Sequence, residues 1–177
     1  MNESEKLYLK DLEALNTLSE EEIKVLVSSG LDETETRNAL ILGVQKRLYD
    51  LAGAFASERV PRMDLVMEGN AALLRFLEEK TVEPEDFLRE AEKAVKAAMK
   101  RFATEEDRQK KAGDLLSEKL NVLNEVTVRF SKVNGRAPTK AELAELLLTD
   151  EDEIEYLMNT ALAALKAEES ENGEEES

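Results

Sequence analysis

The sequence predicts an all-α protein, and three observations carry that prediction. Aromatic residues make up only 5% and charged residues 36%, with 7 Gly and 3 Pro among 177 residues, a composition that favours helices over a sandwich or barrel. Apolar residues recur every third or fourth position, and no alternating run is long enough for a strand. Serine or threonine followed three residues later by an acid opens several segments, as at Ser19 to Glu22, Thr139 to Glu142 and Thr149 to Asp152. The length allows one sizeable core or two small helical domains.

A first short helix, capped by Asn2 or Ser4, places Leu7, Tyr8, Leu12 and Leu15 along one side. The capping box at Ser19 opens a second, which Ser28-Ser29-Gly30 ends. A third runs from about Asp32 to Ala56, with Leu40, Val44, Leu48, Leu51 and Phe55 on one stripe. After a tight connection through Pro61, a fourth reaches Lys80, with Leu65, Val66, Leu73, Leu74 and Leu77 inward and Asp64, Glu68 and Arg75 outward. Pro84 stands in the first turn of a fifth, reaching about Phe102, which buries Phe87, Val95 and Met99 and turns out a basic stripe of Arg89, Lys93, Lys96 and Lys100. Thr104-Glu105-Glu106-Asp107 reads as another cap, so a boundary is expected at residues 103 to 108, between domains 1–103 and 104–167. A sixth helix, interrupted by Gly113 in its first turns, reaches about Val133. It joins two further helices opened at Thr139 and Thr149, in a bundle around Leu143, Leu146, Leu147, Ile154, Leu157, Leu162 and Leu165. Residues 168–177 are expected to form a disordered acidic tail.

Without cysteine or histidine the chain has no thiol nucleophile, disulfide, zinc knuckle or imidazole base. The acidic clusters at Glu20 to Glu22 and Asp150 to Glu153 stand in first helical turns, where the dipole favours carboxylates anyway. A non-enzymatic role without metal or cofactor is the expectation. The N-terminus is acidic and polar, and no apolar run approaches the roughly 18 residues of a membrane span, so a cytoplasmic location is expected. A net charge of −16 disfavours general attraction to nucleic acid, although it does not exclude a local basic face.

The fourth helix carries Gly69 and Asn70 in its interior, and Gly there costs roughly 1 kcal/mol relative to Ala, so the segment asks for a packing or contact reason. Taken with Leu7-Tyr8-Leu9-Lys10-Asp11-Leu12 and Ser19-Glu20-Glu21-Glu22, the run Met63-Asp64-Leu65-Val66-Met67-Glu68-Gly69-Asn70 resembles the sigma-70 family of bacterial RNA polymerase sigma factors. There a tyrosine-leucine segment opens region 1.2, and Asp-Leu-Ile-Gln-Glu-Gly-Asn marks region 2.2. Asn134-Gly135-Arg136-Ala137-Pro138-Thr139 and Glu142-Leu143-Ala144 look like the Gly-Arg-Glu-Pro-Thr and Glu-Glu-Leu-Ala run of region 3. The similarity covers residues 6 to 166 or so.

The resemblance implies a helical domain of regions 1.2 and 2 followed by a small three-helix region 3 domain. It also implies that the fourth helix docks on the clamp coiled coil of the largest subunit of core RNA polymerase. Asp64, Glu68 and Asn70 then become polar contacts and Leu74 an apolar one, with Met67 where the family has glutamine. In the promoter-reading helix, Glu90-Ala91-Glu92-Lys93-Ala94-Val95-Lys96-Ala97 replaces the family's Tyr-Ala-Thr-Trp-Trp-Ile-Arg-Gln. Aromatic platforms contribute about 1–3 kcal/mol per stacked base, which Lys and Ala do not supply. Arg89, Lys93, Lys96 and Lys100 remain candidates for DNA-backbone contact, which positions DNA without reading its sequence. Leu115 stands at the family's histidine beside the extended −10 element and Glu118 at its glutamate partner, so Glu118 joins that set. No region 4 follows Ala167, so a second chain supplying it is an implied partner. The expected function is a transcription initiation factor or regulator that binds polymerase with weakened promoter reading. The alternative is an adaptor on the same scaffold that binds another protein and no polymerase.

Overall fold

The computed structural model describes residues 3–31, 34–79 and 82–174, without the side chains of Ser4, Glu79 and residues 167–174. Its regular elements are all helices: α1 (Glu3–Ala14), α2 (Glu20–Ser29), α3 (Thr34–Gly43), α4 (Gln45–Gly53), α5 (Arg62–Glu79), α6 (Pro84–Asn134), α7 (Lys140–Leu147) and α8 (Glu151–Glu174). Among the described residues, no helix is long and apolar enough to cross a membrane. The chain divides into two compact units, Met1–Lys110 and Lys111–Ser177.

The first unit closes around Leu12, Ile23, Leu40, Leu48, Leu65, Leu73, Phe87, Val95 and Met99. At α2 the capping box forms as read: the Ser19 hydroxyl accepts from the Glu22 N–H, and the Glu22 carboxylate accepts the Ser19 N–H at 2.8 Å. Leu7, expected on the inner side of α1, is exposed, while Leu12 is buried. The N-terminal caps proposed at Asn2 and Ser4 lie outside the described residues and side chains.

The single third helix expected from Asp32 to Ala56 is two helices in the described region, because Gly43 and Val44 break it. The Leu18 side chain packs where a Gly43 Cβ would stand, 2.2 Å from it, and the Leu18 N–H takes the Gly43 carbonyl at 3.1 Å. Only glycine admits that approach.

The fifth and sixth helices are, conversely, one. Thr104 does not cap a new helix; its hydroxyl donates back to the Lys100 carbonyl at 2.8 Å, a bond made from within a helix. Glu105 accepts from Arg108 at 2.8 Å and from Gln109 at 2.8 Å, pairs three and four residues apart that support continuation. Gly113 does not interrupt α6. The expected boundary at 103 to 108 therefore falls inside a continuous helix that contributes to both units.

The second unit packs Leu123, Leu143, Ala144, Ile154 and Leu157, flanked by Leu116, Leu120, Val126 and Leu147. Leu146, Leu162 and Leu165, expected in this core, are each more than half exposed. The eight residues of α7 are too few to cover the length of α8, so only the part of α8 near Ile154 and Leu157 is buried. Asp150, one residue beyond the expected Thr149, caps α8 by accepting the Glu153 N–H at 2.7 Å. Arg136 binds Glu142 through two bonds of 2.9 and 2.5 Å and lies over the Phe130 ring at 5.1 Å. The backbone of α8 stays helical through residues 168–174, part of the segment expected to be a disordered tail; strong helix formers from Ala161 to Glu169 favour this as far as Glu169, whereas Ser170, Asn172 and Gly173 do not. Residues 175–177 lie outside the described residues.

Leu148 closes α7 in the left-handed region, at φ 54° and ψ 43°. Such a backbone costs a residue with a Cβ about 1–2 kcal/mol, and glycine is the usual occupant. Its N–H reaches the Glu145 carbonyl at 3.4 Å, and the Thr149 N–H reaches that of Ala144 at 3.0 Å, so the cap itself is complete.

Candidate functional site

One face of α5 lies in the first core and the other is uncovered. Leu65, Val66, Ala72, Leu73, Phe76 and Leu77 are buried, and the Phe76 ring meets Phe87 edge-on at 5.5 Å and 68°. Outward, at intervals of three and four residues, come Asp64, Met67, Ala71, Leu74 and Glu78. Met67 is 67% exposed and Leu74 43%, so Leu74 leaves the inner face expected of it. Among the described residues Asp64 forms no ion pair, and it stands in the first turn of α5, where the helix dipole favours an acid. Two large apolar side chains a heptad apart, bracketed by acids, are what a helix offers to another helix.

Asn70 is placed differently from the expected partner contact. Its Oδ1 accepts from Gln45 Nε2 at 2.7 Å, and its Nδ2 donates to Gln45 Oε1 at 3.3 Å. Gln45, only 7% exposed, also donates to the Ile41 carbonyl at 2.9 Å and accepts the Tyr8 hydroxyl at 2.9 Å. Burial, with the neighbouring Tyr49, raises the Tyr8 pKa above its usual value and keeps the phenol a donor. Asn70 thus ties α5 to α4 and, through Gln45, to α1. Gly69 is explained in the same direction: an added Cβ would lie 2.3 Å from the Met99 methyl of α6 and 3.3 Å from Leu48 of α4. The close approach at Gly69 belongs to the chain's own core rather than to a partner helix.

Glu68 is not a free acid. Its Oε1 holds Arg75 at 3.2 Å and Arg101 of α6 at 3.7 Å, bracing the two helices. The basic stripe of α6 is also largely answered on its own helix. Arg89 pairs with Asp86 at 2.8 Å and Glu90 at 3.5 Å, Lys93 with Glu90 at 3.8 Å, and Lys96 with Glu92 at 2.9 Å. Lys100 has no ion pair among the described residues. Glu118 belongs to the second unit, where it lines a groove with Leu115, Val122 and Leu148.

Sequence reasoning missed Gln45, Ala71, Glu78 and Leu148. The heptad interval through 64, 71 and 78 signals the α5 seam, and a lone amide following Val44 in an apolar stripe signals Gln45. The absence of glycine after Leu147 signals Leu148. Among the described residues, no cluster of His, Cys, Asp or Glu is arranged to hold a metal ion. No family model matches the chain.

Proposed function

We propose that the chain is a sigma-70-like transcription factor that docks on the clamp coiled coil of core RNA polymerase through the outward face of α5. The motif from Met63 to Asn70 suggests the partner, and the uncovered seam of Asp64, Met67, Ala71, Leu74 and Glu78 is the observation that carries the reading. Exposed aliphatic groups between acids suit a helical partner with apolar residues and basic flanks, whose charges also speed encounter. In this reading the first unit corresponds to regions 1.2 and 2 and the second to region 3. Gly69, Asn70 and Glu68 serve the packing that presents the seam. The ion-paired state of Arg89, Lys93 and Lys96 favours weakened contact with promoter DNA, so promoter selection would fall to a partner chain.

Immobilised core polymerase is expected to retain the folded chain. Asp64→Lys and Met67→Glu are each expected to weaken retention about tenfold or more; the urea midpoint should hold for Met67→Glu, whose side chain is outside the core, and fall slightly for Asp64→Lys, which puts a cation in the first turn of α5. Glu68→Lys is a poor probe, since it strips Arg75 and Arg101 of their counter-ion. Failure of the folded wild type to bind, or undiminished binding by both variants, overturns the reading. Capture of a different protein and no polymerase from native lysate would replace it with the adaptor. Transcription beside a competing sigma factor then separates an initiator, which yields a defined start, from an inhibitor, which removes the competitor's transcripts.

A further inference from the structure

The second unit holds a groove along the edge of its own core, apart from the residues of the α5 seam. Its walls are Leu115, Glu118 and Val122 of α6, Leu147 at the end of α7, Leu148 in the turn and Leu157 of α8, around about 390 Å³. That volume is at the small end of the roughly 300–1,000 Å³ of ligand clefts, a size for a few projecting side chains. Leu115 is 54% exposed, Val122 42% and Leu148 94%.

Leu148 has no explanation within the chain. Its left-handed backbone ends α7, a task that glycine or asparagine performs with less strain, so the cap does not call for leucine. Its side chain is almost wholly in solvent, so the core does not call for it either. Strain and apolar exposure at one residue, beside two further exposed aliphatic groups, are accounted for together by burial against a second molecule.

Charge selects that molecule. Glu118 stands on the wall without an ion pair among the described residues, and Asp150, Glu151 and Asp152 crowd the adjoining start of α8. The one cation of the wall, Lys119, is already bound to Glu153. A phosphate backbone would meet carboxylates here, whereas lysines or arginines flanking aliphatic residues would meet complementary charge.

We propose that this groove docks a basic amphipathic helix of a partner protein. Its aliphatic side chains, at i, i+4 and i+7, lie along Leu115, Val122 and Leu148, and its cations lie over Glu118 and the Asp150 turn. The proposal concerns the second unit alone and stands whether or not α5 binds polymerase.

The test titrates the full chain, labelled at leucine and valine methyls, with a synthetic helical peptide bearing leucines at i, i+4 and i+7 between lysines. A glutamate-flanked counterpart and a DNA duplex serve as comparisons. The lysine peptide is expected to shift the methyls of Leu115, Val122 and Leu148, more weakly as salt rises, and the comparisons to leave them in place. Leu148→Gly relieves the backbone, so its thermal midpoint should hold or rise while peptide affinity falls about tenfold, the effect of losing one buried aliphatic group. Glu118→Lys should weaken the same peptide. Undiminished binding by Leu148→Gly, shifts that map elsewhere, DNA shifting the groove methyls, or self-association of the chain through the groove would each overturn the proposal.

Discussion

Gln45 and Asn70 form the polar centre of the first unit, and their amides exchange two hydrogen bonds across α4 and α5. Asn70→Ala leaves the buried Gln45 with the Tyr8 and Ile41 bonds only, so a loss of about 1–2 kcal/mol is expected in urea unfolding. The outward seam should keep its binding, since Asn70 does not belong to it. Both Gly69 and Asn70 were legible in the sequence as anomalies, because each is costly inside a helix. Their direction was not. Leucines at 65, 73, 74 and 77 leave the rotation of the helix about its axis ambiguous, and only the presence of Met99, Leu48 and Gln45 resolves it.

At the scale of elements, the chain between Pro84 and Asn134 is the largest departure from expectation. Thr104 followed by acids satisfies the pattern of a cap, but the same residues within a helix make i, i+3 and i, i+4 pairs, and local sequence does not distinguish the two uses. Gly113 is now an ordinary cost in a helix, since an added Cβ there would have no neighbour within 4 Å. Gly113→Ala should therefore stabilise the chain by about 1 kcal/mol or less, measured as a raised urea midpoint and slower hydrogen exchange in the turns around it. The break at Gly43 is the opposite case. It depends on Leu18, distant in sequence, and no helix pattern announces it.

Across the whole molecule the net charge is −16, and several of its carboxylates are held by local hydrogen bonds and cations. Arg108, then Gln109, holds Glu105 down at about 2, and Arg136, then the Thr139 N–H, holds Glu142 down at about 2. Glu22, Glu153 and Glu155 are lowered by Ser19, Lys119 and Lys140 respectively. Each folded value lies below the ordinary glutamate value of 4.5, so these bonds contribute fully above that pH. Below it the unfolded chain takes up protons first, and the contribution is lost as pH falls towards 2. Thermal midpoints should therefore drop through that window, and Glu142→Gln should lower the neutral midpoint slightly and flatten the acid limb. These pairs face solvent, so added salt should shrink the difference.

By itself the sequence determined the helical class, the capping boxes at Ser19 and Thr139, most of the buried stripes and the presence of an unusual segment around Gly69. These follow from local spacing and local hydrogen bonds, which a single chain segment carries. Only the tertiary structure decided that Asn70 and Gly69 face inward, that Met67 and Leu74 share an uncovered seam, and that Leu148 stands exposed beside a groove. Those outcomes depend on which neighbour occupies a given direction, and contacts between residues far apart in sequence set that.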